Sequence, residues 1–411
     1  STPKPSSAAS DVYKRQLLYD VTGMWLNGLA HCYLPTIGRL VTHSPPMLSL
    51  QCTKSLALRA GTASNFGFRT SSFPTGLYTM TSADFPGHVL TEKLADAILF
   101  APLHDGVANR IAVLSGYATP TMASWYLKKL EDRNIRAQIE LLVGMTPESG
   151  LSKNVHEGFI KIQSTGTSEI HSRFSCSYLS NNNLPEHGNL YIILCGEEPL
   201  SAYTGSASFV QNSFVSGHRH EIMMDCDPKW AWTYYQQVSD NSIYCNHPEI
   251  EYSVTIRKEH PIFDREDLAF SSKKENVERV TLSLLTKKQN IGKHSGLNWG
   301  QRENRNPNQA YIPVPKQVAE SGFFPTDGRH ITVRTDDGKM LILRSEQAHY
   351  KALTTPLSNA ELGEYFRNRL NLAYGAPVTE QDLKQYGRTN VSFIKYDDEQ
   401  YFMDFSVTEK G

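Results

Sequence analysis

Between Leu90 and Ser242 the apolar residues fall into two alternating periods. Continuous apolar runs in RIAVLSGYAT (110–119) and IRAQIELLVGM (135–145) are short and bounded by Gly and polar residues, which predicts two strands covered on both faces. Between them PTMASWYLKKLEDR (120–133) carries Pro at its front and apolar residues at helical spacing, so a helix is expected. LTEKLADAILFAP (90–102) and NVHEGFIKIQ (154–163) also read as helices. EIHSRFSCSYL, NLYIILCG, LSAYTGSASF and HEIMMDCD read as strands, and KWAWTYYQQVSDNS as a helix. Strands alternating with helices at this spacing predict a layered α/β domain over residues 80–255.

Beyond it the pattern changes. Residues 256–295 are polar and basic and are read as a linker holding one strand-like insert, ERVTLSLLT. A basic, Asn-rich arm, SGLNWGQRENRNPNQAYI, follows. HITVRTDDGKMLILRS has two alternating runs joined by Asp-Asp-Gly, the signature of a hairpin. TNVSFIKYDDEQYFMDFS reads as a second hairpin, and NAELGEYFRNRLNL as a short helix with an Asp/Asn-type cap. Residues 296–411 are therefore expected to form a mostly β domain. Residues 1–79 lack either period. STPKPSSAASDVYKRQ resembles translated adaptor sequence, so 1–79 is read as a non-native extension, or as a genuine mobile one, with Met80 the expected native start.

Composition narrows the function little. The 411 residues are 39% hydrophobic and 20% charged, with a formal net charge of −1, a balance that leaves room for a local basic surface. No apolar run approaches the roughly 20 residues that span a bilayer. The six cysteines show no CxxC spacing, which argues against a zinc knuckle and fits unpaired thiols in a reducing cytoplasm.

Candidate chemistry begins with His171 and Arg173. Residues i and i+2 of a strand share a face, so an imidazole able to attack phosphorus stands beside a guanidinium able to hold phosphate oxygens. Alone the pair is weak, since most such pairs are structural. TGSAS adds the hydroxyls of Ser206 and Ser208, and Glu221 adds a carboxylate able to orient a histidine. Each of these taken singly is more often a strand-end turn or a solvated charge.

A His-x-Lys pair followed by Gly-Ser-x-Asn and a Glu is the phospholipase D superfamily signature, and the order of residues here is similar. More closely, the chain resembles the NgoFVII-type restriction endonucleases over residues 90–411, through SGYATPTMASWYL, IELLVGM, IHSRF, GSASFVQNSF and EIMMDCD. The likeness continues through FFPTDGRHITVRTDDGK, ELGEYFRNRLNL and YGRTNVSFIKYDDEQYFMDFS. It implies a phospholipase D-like layered domain followed by a B-three-like pseudobarrel that grips DNA. His171 is then the expected nucleophile, with Arg173, Ser206, Ser208 and Glu221 around it. Arg173 and Ser208 depart from the Lys and Asn of the signature. A single motif per chain implies a homodimer, because the mechanism uses two histidines. No metal and no cofactor are expected.

The resemblance also implies two DNA-reading arms, LNWGQRENRN and YGRTNVS. Asn298, Gln301, Arg302, Arg305, Asn306, Arg388 and Asn390 are types that read base edges. Lys339, Arg367 and Arg369 are expected on phosphates. Partners implied are double-stranded DNA, a cognate DNA methyltransferase and a companion ATPase; no membrane is expected. Two rival readings stand beside this one: a catalytically weakened DNA-binding protein dimerised by its nuclease domain, and a phospholipase D-like enzyme on a lipid or small phosphodiester.

Overall fold

The structure is a computed structural model, and residues 88–165, 172–215, 219–257 and 278–407 are described. The first domain is built on an eight-stranded sheet. Its strands are β1 (Val89–Leu90), β2 (Arg110–Ser115), β3 (Gln138–Val143), β5 (Arg173–Leu179), β6 (Asn189–Cys195), β7 (Glu198–Gly205), β8 (Met223–Cys226) and β9 (Ser242–Tyr244), in the spatial order β1-β8-β7-β6-β2-β3-β5-β9. β2, β3 and β5 run parallel, and every other neighbour is antiparallel. A small separate pair, β4 (Leu151–Ser152) with β10 (Ile256–Arg257), lies outside it.

Helices cover both faces. α1 (Pro120–Asp132) and α2 (Lys153–Thr165) pack on one side, where Ile111, Val113, Ile139, Tyr191 and Ile193 meet Met122, Tyr126, Leu127 and Phe159. α4 (Pro228–Ser239) covers the other, over Ala112, Leu114, Ile192 and Leu194; the four-residue α3 (Gln211–Phe214) precedes it. The continuous apolar runs of β2 and β3 are explained by this double cover. LTEKLADAILFAP, expected to be a helix, forms only a π-helical turn, Ala95–Phe100, and a 3-10 turn ending at Leu103. Pro102 has no N–H to continue a helix and clashes with the preceding turn.

The second domain is a seven-stranded, strongly curled sheet in the order β11-β16-β17-β13-β14-β15-β12. These are β11 (Arg279–Ser283), β12 (Ile312–Pro313), β13 (His330–Thr335), β14 (Met340–Glu346), β15 (Ala352–Thr354), β16 (Asn390–Lys395) and β17 (Gln400–Asp404). Its edge strands β11 and β12 lie against each other, so the sheet nearly closes on a core that includes Phe324, Val333, Leu343, Phe366 and Phe393. Arg279–Ser283, inside the stretch read as a linker, pairs with β16 along its whole length. α5 (Asn359–Arg369) and α6 (Glu380–Tyr386) complete the domain; the cap of α5 is Ser358, with no side-chain bond, rather than an Asx cap.

The two domains share one helix layer within the compact unit Tyr78–Gly411. α1 and α2 are pressed between the first sheet and strands β13 and β14, which is why α1 is buried on nearly every side. The junction is polar and specific. Arg334 pairs with Glu157 at 2.5 Å, Lys161 pairs with Glu361, and Thr121 donates to Glu399. His330, fully buried, meets the Ser124 hydroxyl through Nδ1 at 2.9 Å. Gly158 of α2 lets the helices approach this closely, since a Cβ there would stand 2.6 Å from Pro120 Cγ.

Candidate active site

The residues able to act on a phosphate collect at the carboxyl ends of β2, β3 and β7. β6 and β7 form a hairpin whose register sets Asn189 opposite Gly205, and Asn189 also faces Ser115 of β2. Asn189 is 5% exposed, and its amide is spent on that junction. Nδ2 donates to the carbonyls of Gly205 and Ser206, both at 3.2 Å, while Oδ1 accepts from the Ser115 hydroxyl at 2.8 Å. The Tyr191 hydroxyl holds the Ala207 carbonyl at 2.8 Å, and burial pushes that phenol's pKa up. Gly205 is required because a Cβ would meet the Ile222 carbonyl at 2.1 Å.

Onto this fixed turn project a carboxylate and two hydroxyls. Glu221 is 8% exposed and accepts from both Ser206 and Ser213, the latter at 2.8 Å. Ser206 is exposed, and its Oγ also accepts the Ile222 N–H at 3.0 Å. Ser208 is half-buried two residues on. Arg219 and His220, both exposed, lead directly into Glu221.

Besides His220, the described residues bring to this end the imidazole of His187. It precedes Asn189 by two residues, so it continues the β6 register past Ser115 and Gly205. Its backbone crosses closest to Gly116, and its ring meets the Tyr117 ring edge-on at 5.7 Å. The loop is pinned just before it: the Glu186 N–H donates to the Gly144 carbonyl at 3.0 Å, and the Glu186 carboxylate accepts from Gly188 N–H and the Tyr234 hydroxyl. His187 is half-buried.

The expected pairing of Arg173 with Ser206 does not form. Arg173 opens β5, and the register Gly205–Asn189–Ser115–Val143–Tyr178 places it five residues and four strands away. At about 3.3 Å per residue and 4.8 Å per strand, that is roughly 25 Å. Arg173 is exposed at the opposite end of the sheet. His171 lies outside the described residues, as does His218. Ser206 and Glu221 meet through the Ser206 hydroxyl, and Ser208 follows two residues on. His187 was not singled out from the sequence, although EHGNLYIIL sets a histidine before the strand that the two-residue turn Gly196–Glu197 joins to TGSAS.

Two family models match the sequence. The NgoFVII restriction endonuclease N-terminal phospholipase D (PLD) domain matches residues 92–252, and the NgoFVII C-terminal B3-like DNA-binding domain matches residues 272–397. Between them they cover more than half of the chain. The chain belongs to the NgoFVII restriction endonuclease family. Its fold is accordingly a phospholipase D-like domain followed by a B3-like pseudobarrel. No curated protein sequence matches it. Among solved structures, NucT from Helicobacter pylori is 13% identical (TM-score 0.25), covering 38% of this chain and 97% of that one. The phospholipase D family member Nuc from Salmonella typhimurium is 14% identical (TM-score 0.27), with the same coverage. Polyphosphate kinase from Porphyromonas gingivalis is 14% identical (TM-score 0.25), covering 39% of this chain and 25% of that one.

In the B3-like domain of this NgoFVII relative, one end of the barrel gathers the loops expected to read DNA. The β11–β12 connection, the β13–β14 turn and the entry to β16 all open there. Arg302, Arg305 and Lys339 are exposed on it; Arg302 Nε donates to the His294 carbonyl at 2.9 Å, and Arg305 lies over the Trp299 ring at 4.3 Å. Asn306 bonds the Tyr374 hydroxyl at 3.1 Å, and Gln301 braces the carbonyls of Pro307 and Gly375.

Five residues expected at DNA instead make internal bonds. Asn298, 2% exposed, clasps both backbone groups of Val378. Arg367 is 1% exposed and donates to the carbonyls of Ala376, Gly363 and Leu297; burial lowers its pKa. Arg369 forks onto Asp336 at 2.9 and 2.8 Å. Arg388 pairs with Asp404 at 2.9 Å and reaches the Ser406 carbonyl, while Asn390 accepts from its Nε. Arginines that look like solvated helix or loop positions in FRNRL and YGRTN are hydrogen-bond hubs of the barrel. Among the described residues no helix is long and apolar enough to cross a membrane.

Proposed function

We propose that this chain is a restriction endonuclease that hydrolyses phosphodiester bonds of double-stranded DNA at a specific site, with His187 as nucleophile. The observation that carries the reading is the register that sets His187, Ser206, Ser208 and Glu221 at one end of one sheet. A ring nitrogen of His187 attacks phosphorus, and the bond from phosphorus to the leaving sugar oxygen breaks. The leaving oxygen takes a proton from the partner subunit's His187. Water then breaks the phosphorus–nitrogen bond, and the partner's histidine recovers a proton from it. Ser206 and Ser208 hold the phosphate, and Arg219 supplies positive charge beside it.

The two-histidine chemistry requires a homodimer, and the rim of the site suits one: Ile222, next to Ser206, is 52% exposed and Tyr117, against His187, 45%. The exposed basic loops of the barrel hold the DNA, Arg302 and Arg305 among them. A cytoplasmic location, a cognate methyltransferase and a companion ATPase fit the same reading.

One observation favours a second reading, a DNA-binding protein with a weakened nuclease domain. The residue two positions after His187 is a buried, fully used asparagine, so no cation is fixed there. The test uses unmethylated plasmid in EDTA with the purified chain, His187→Ala and Arg173→Ala. Discrete fragments from the wild type and Arg173→Ala, and none from His187→Ala, support the enzyme. Specific binding without cleavage, with ATP and candidate partners present, turns the conclusion to the second reading.

A further inference from the structure

α3 is only four residues long, yet each end is tied to a different domain. Gln211 is fully buried, and its side-chain amide closes on the backbone of His330. Nε2 donates to the His330 carbonyl at 3.0 Å, and Oε1 accepts the His330 N–H at 2.8 Å. This is a two-bond clasp on the first residue of β13, in the barrel that carries the basic loops. The next residue, Asn212, accepts from Arg329 at 3.5 Å. One residue further, Ser213 donates to Glu221, whose other oxygen accepts from Ser206. Gln211 also stands three residues after Ser208. A stretch of nine residues, 205–213, thus runs from the phosphate-holding hydroxyls to the barrel and back to the carboxylate.

The anchor at the far end is stiff. His330 is buried, its ring meets Ser124 of α1, and β13 lies in the interior of the second sheet, paired on both sides. A displacement of β13 therefore moves Gln211, and α3 is too short to absorb the movement before Ser213.

We propose that Gln211 is a positioning residue through which the DNA-recognition barrel sets the geometry of the Ser206–Glu221 pair. The proposal rests on the nuclease reading above. When the loops of the barrel order on DNA, β13 is held, the clasp holds α3, and Ser213 keeps Glu221 on Ser206. Cutting the clasp leaves two buried backbone groups unpaired and frees α3 to shift.

The test compares wild type, Gln211→Ala, Gln211→Glu and Glu157→Ala; the last loosens the same junction at Arg334 without touching α3. Two quantities are read: the single-turnover cleavage rate on specific DNA, and hydrogen exchange at the Ser206 and Ile222 amides, which bond to each other's residues across β7 and β8. Gln211→Ala is expected to slow cleavage by about tenfold or more with DNA affinity within about twofold, and to speed exchange at both amides similarly. Glu157→Ala is expected to leave both quantities within about twofold of wild type. Gln211→Glu recovers toward wild type as pH falls, because a protonated carboxyl can both donate to and accept from His330 and no longer opposes the Glu399 carboxylate that the Gln211 side chain also bonds. Wild-type exchange and rate in Gln211→Ala, or equal losses in Glu157→Ala, overturn the proposal. If the wild type itself cleaves nothing, the nuclease reading fails, and the exchange data alone decide the coupling.

Discussion

His330 ties the stability of the domain junction to pH. The imidazole is fully buried, Nδ1 meets Ser124, and Nε2 has no hydrogen-bond partner. Burial, with Arg344, Lys129 and Lys128 nearby, holds its pKa well below the ordinary 6.5. The folded state therefore keeps His330 neutral, while the unfolded chain protonates it below about pH 6.5. Fewer protons bound in the folded state means that stability is lost as pH falls. One such group gives a slope of about 1.4 kcal/mol per pH unit, so about 2 kcal/mol disappears between pH 6.5 and 5. His330→Asn keeps a polar atom near Ser124 and removes the titration. Urea unfolding of both proteins at pH 7.5, 6 and 5 isolates the term, because other titrating groups cancel in the difference. The wild-type advantage should shrink by that amount toward pH 5. Parallel stability curves would refute the reasoning.

Three further substitutions probe the rest of the structure. Arg367→Lys replaces three carbonyl-directed N–H groups by one ammonium and should cost about 2–4 kcal/mol in chemical denaturation, with the DNA affinity of the folded protein retained. A larger effect on affinity than on stability would return Arg367 to the DNA-contacting set. Gly158→Ala drives a methyl into Pro120 and should lower stability by about 1–3 kcal/mol, read as a fall in Tm. Arg302→Ala and Arg305→Ala should each weaken DNA binding and reduce the slope of log affinity against log salt by about 0.9 wherever the lost contact is to phosphate. An unchanged slope together with relaxed sequence preference would mark a base contact instead.

The strand and helix pattern was legible because double-sided burial leaves a strong mark on sequence. RIAVLS and IELLV are apolar throughout, and both hairpins of the barrel alternate cleanly around polar turns. The short strands Ile312–Pro313 and Ala352–Thr354 carried no period to detect. Helix α6 was passed over despite its Thr379–Asp382 capping box. Ser206 and Glu221, which the structure brings together, were grouped from the sequence because the Gly-Ser turn and the following carboxylate are close along the chain. His187 was not singled out from the sequence because strand order is not written in local composition, and His171 lies outside the described residues. His171 and His187 both precede strands, but only β6 is joined to β7 by a turn too short to allow any other neighbour. The barrel arginines misled for a related reason. A guanidinium that caps buried carbonyls and one that meets phosphate share a sequence, and only the carbonyls of Leu297 and Ala376, far along the chain, distinguish them.

We propose that the reacting imidazole is that of His187, two residues before β6. It is tested most directly by trapping the covalent intermediate: wild-type protein is mixed with specific DNA in EDTA, quenched within the first turnover and digested, and the peptides are weighed. A phosphorus–nitrogen adduct is expected on the peptide that carries His187. An adduct on the peptide that carries His171, or cleavage with no adduct at all, would contradict it.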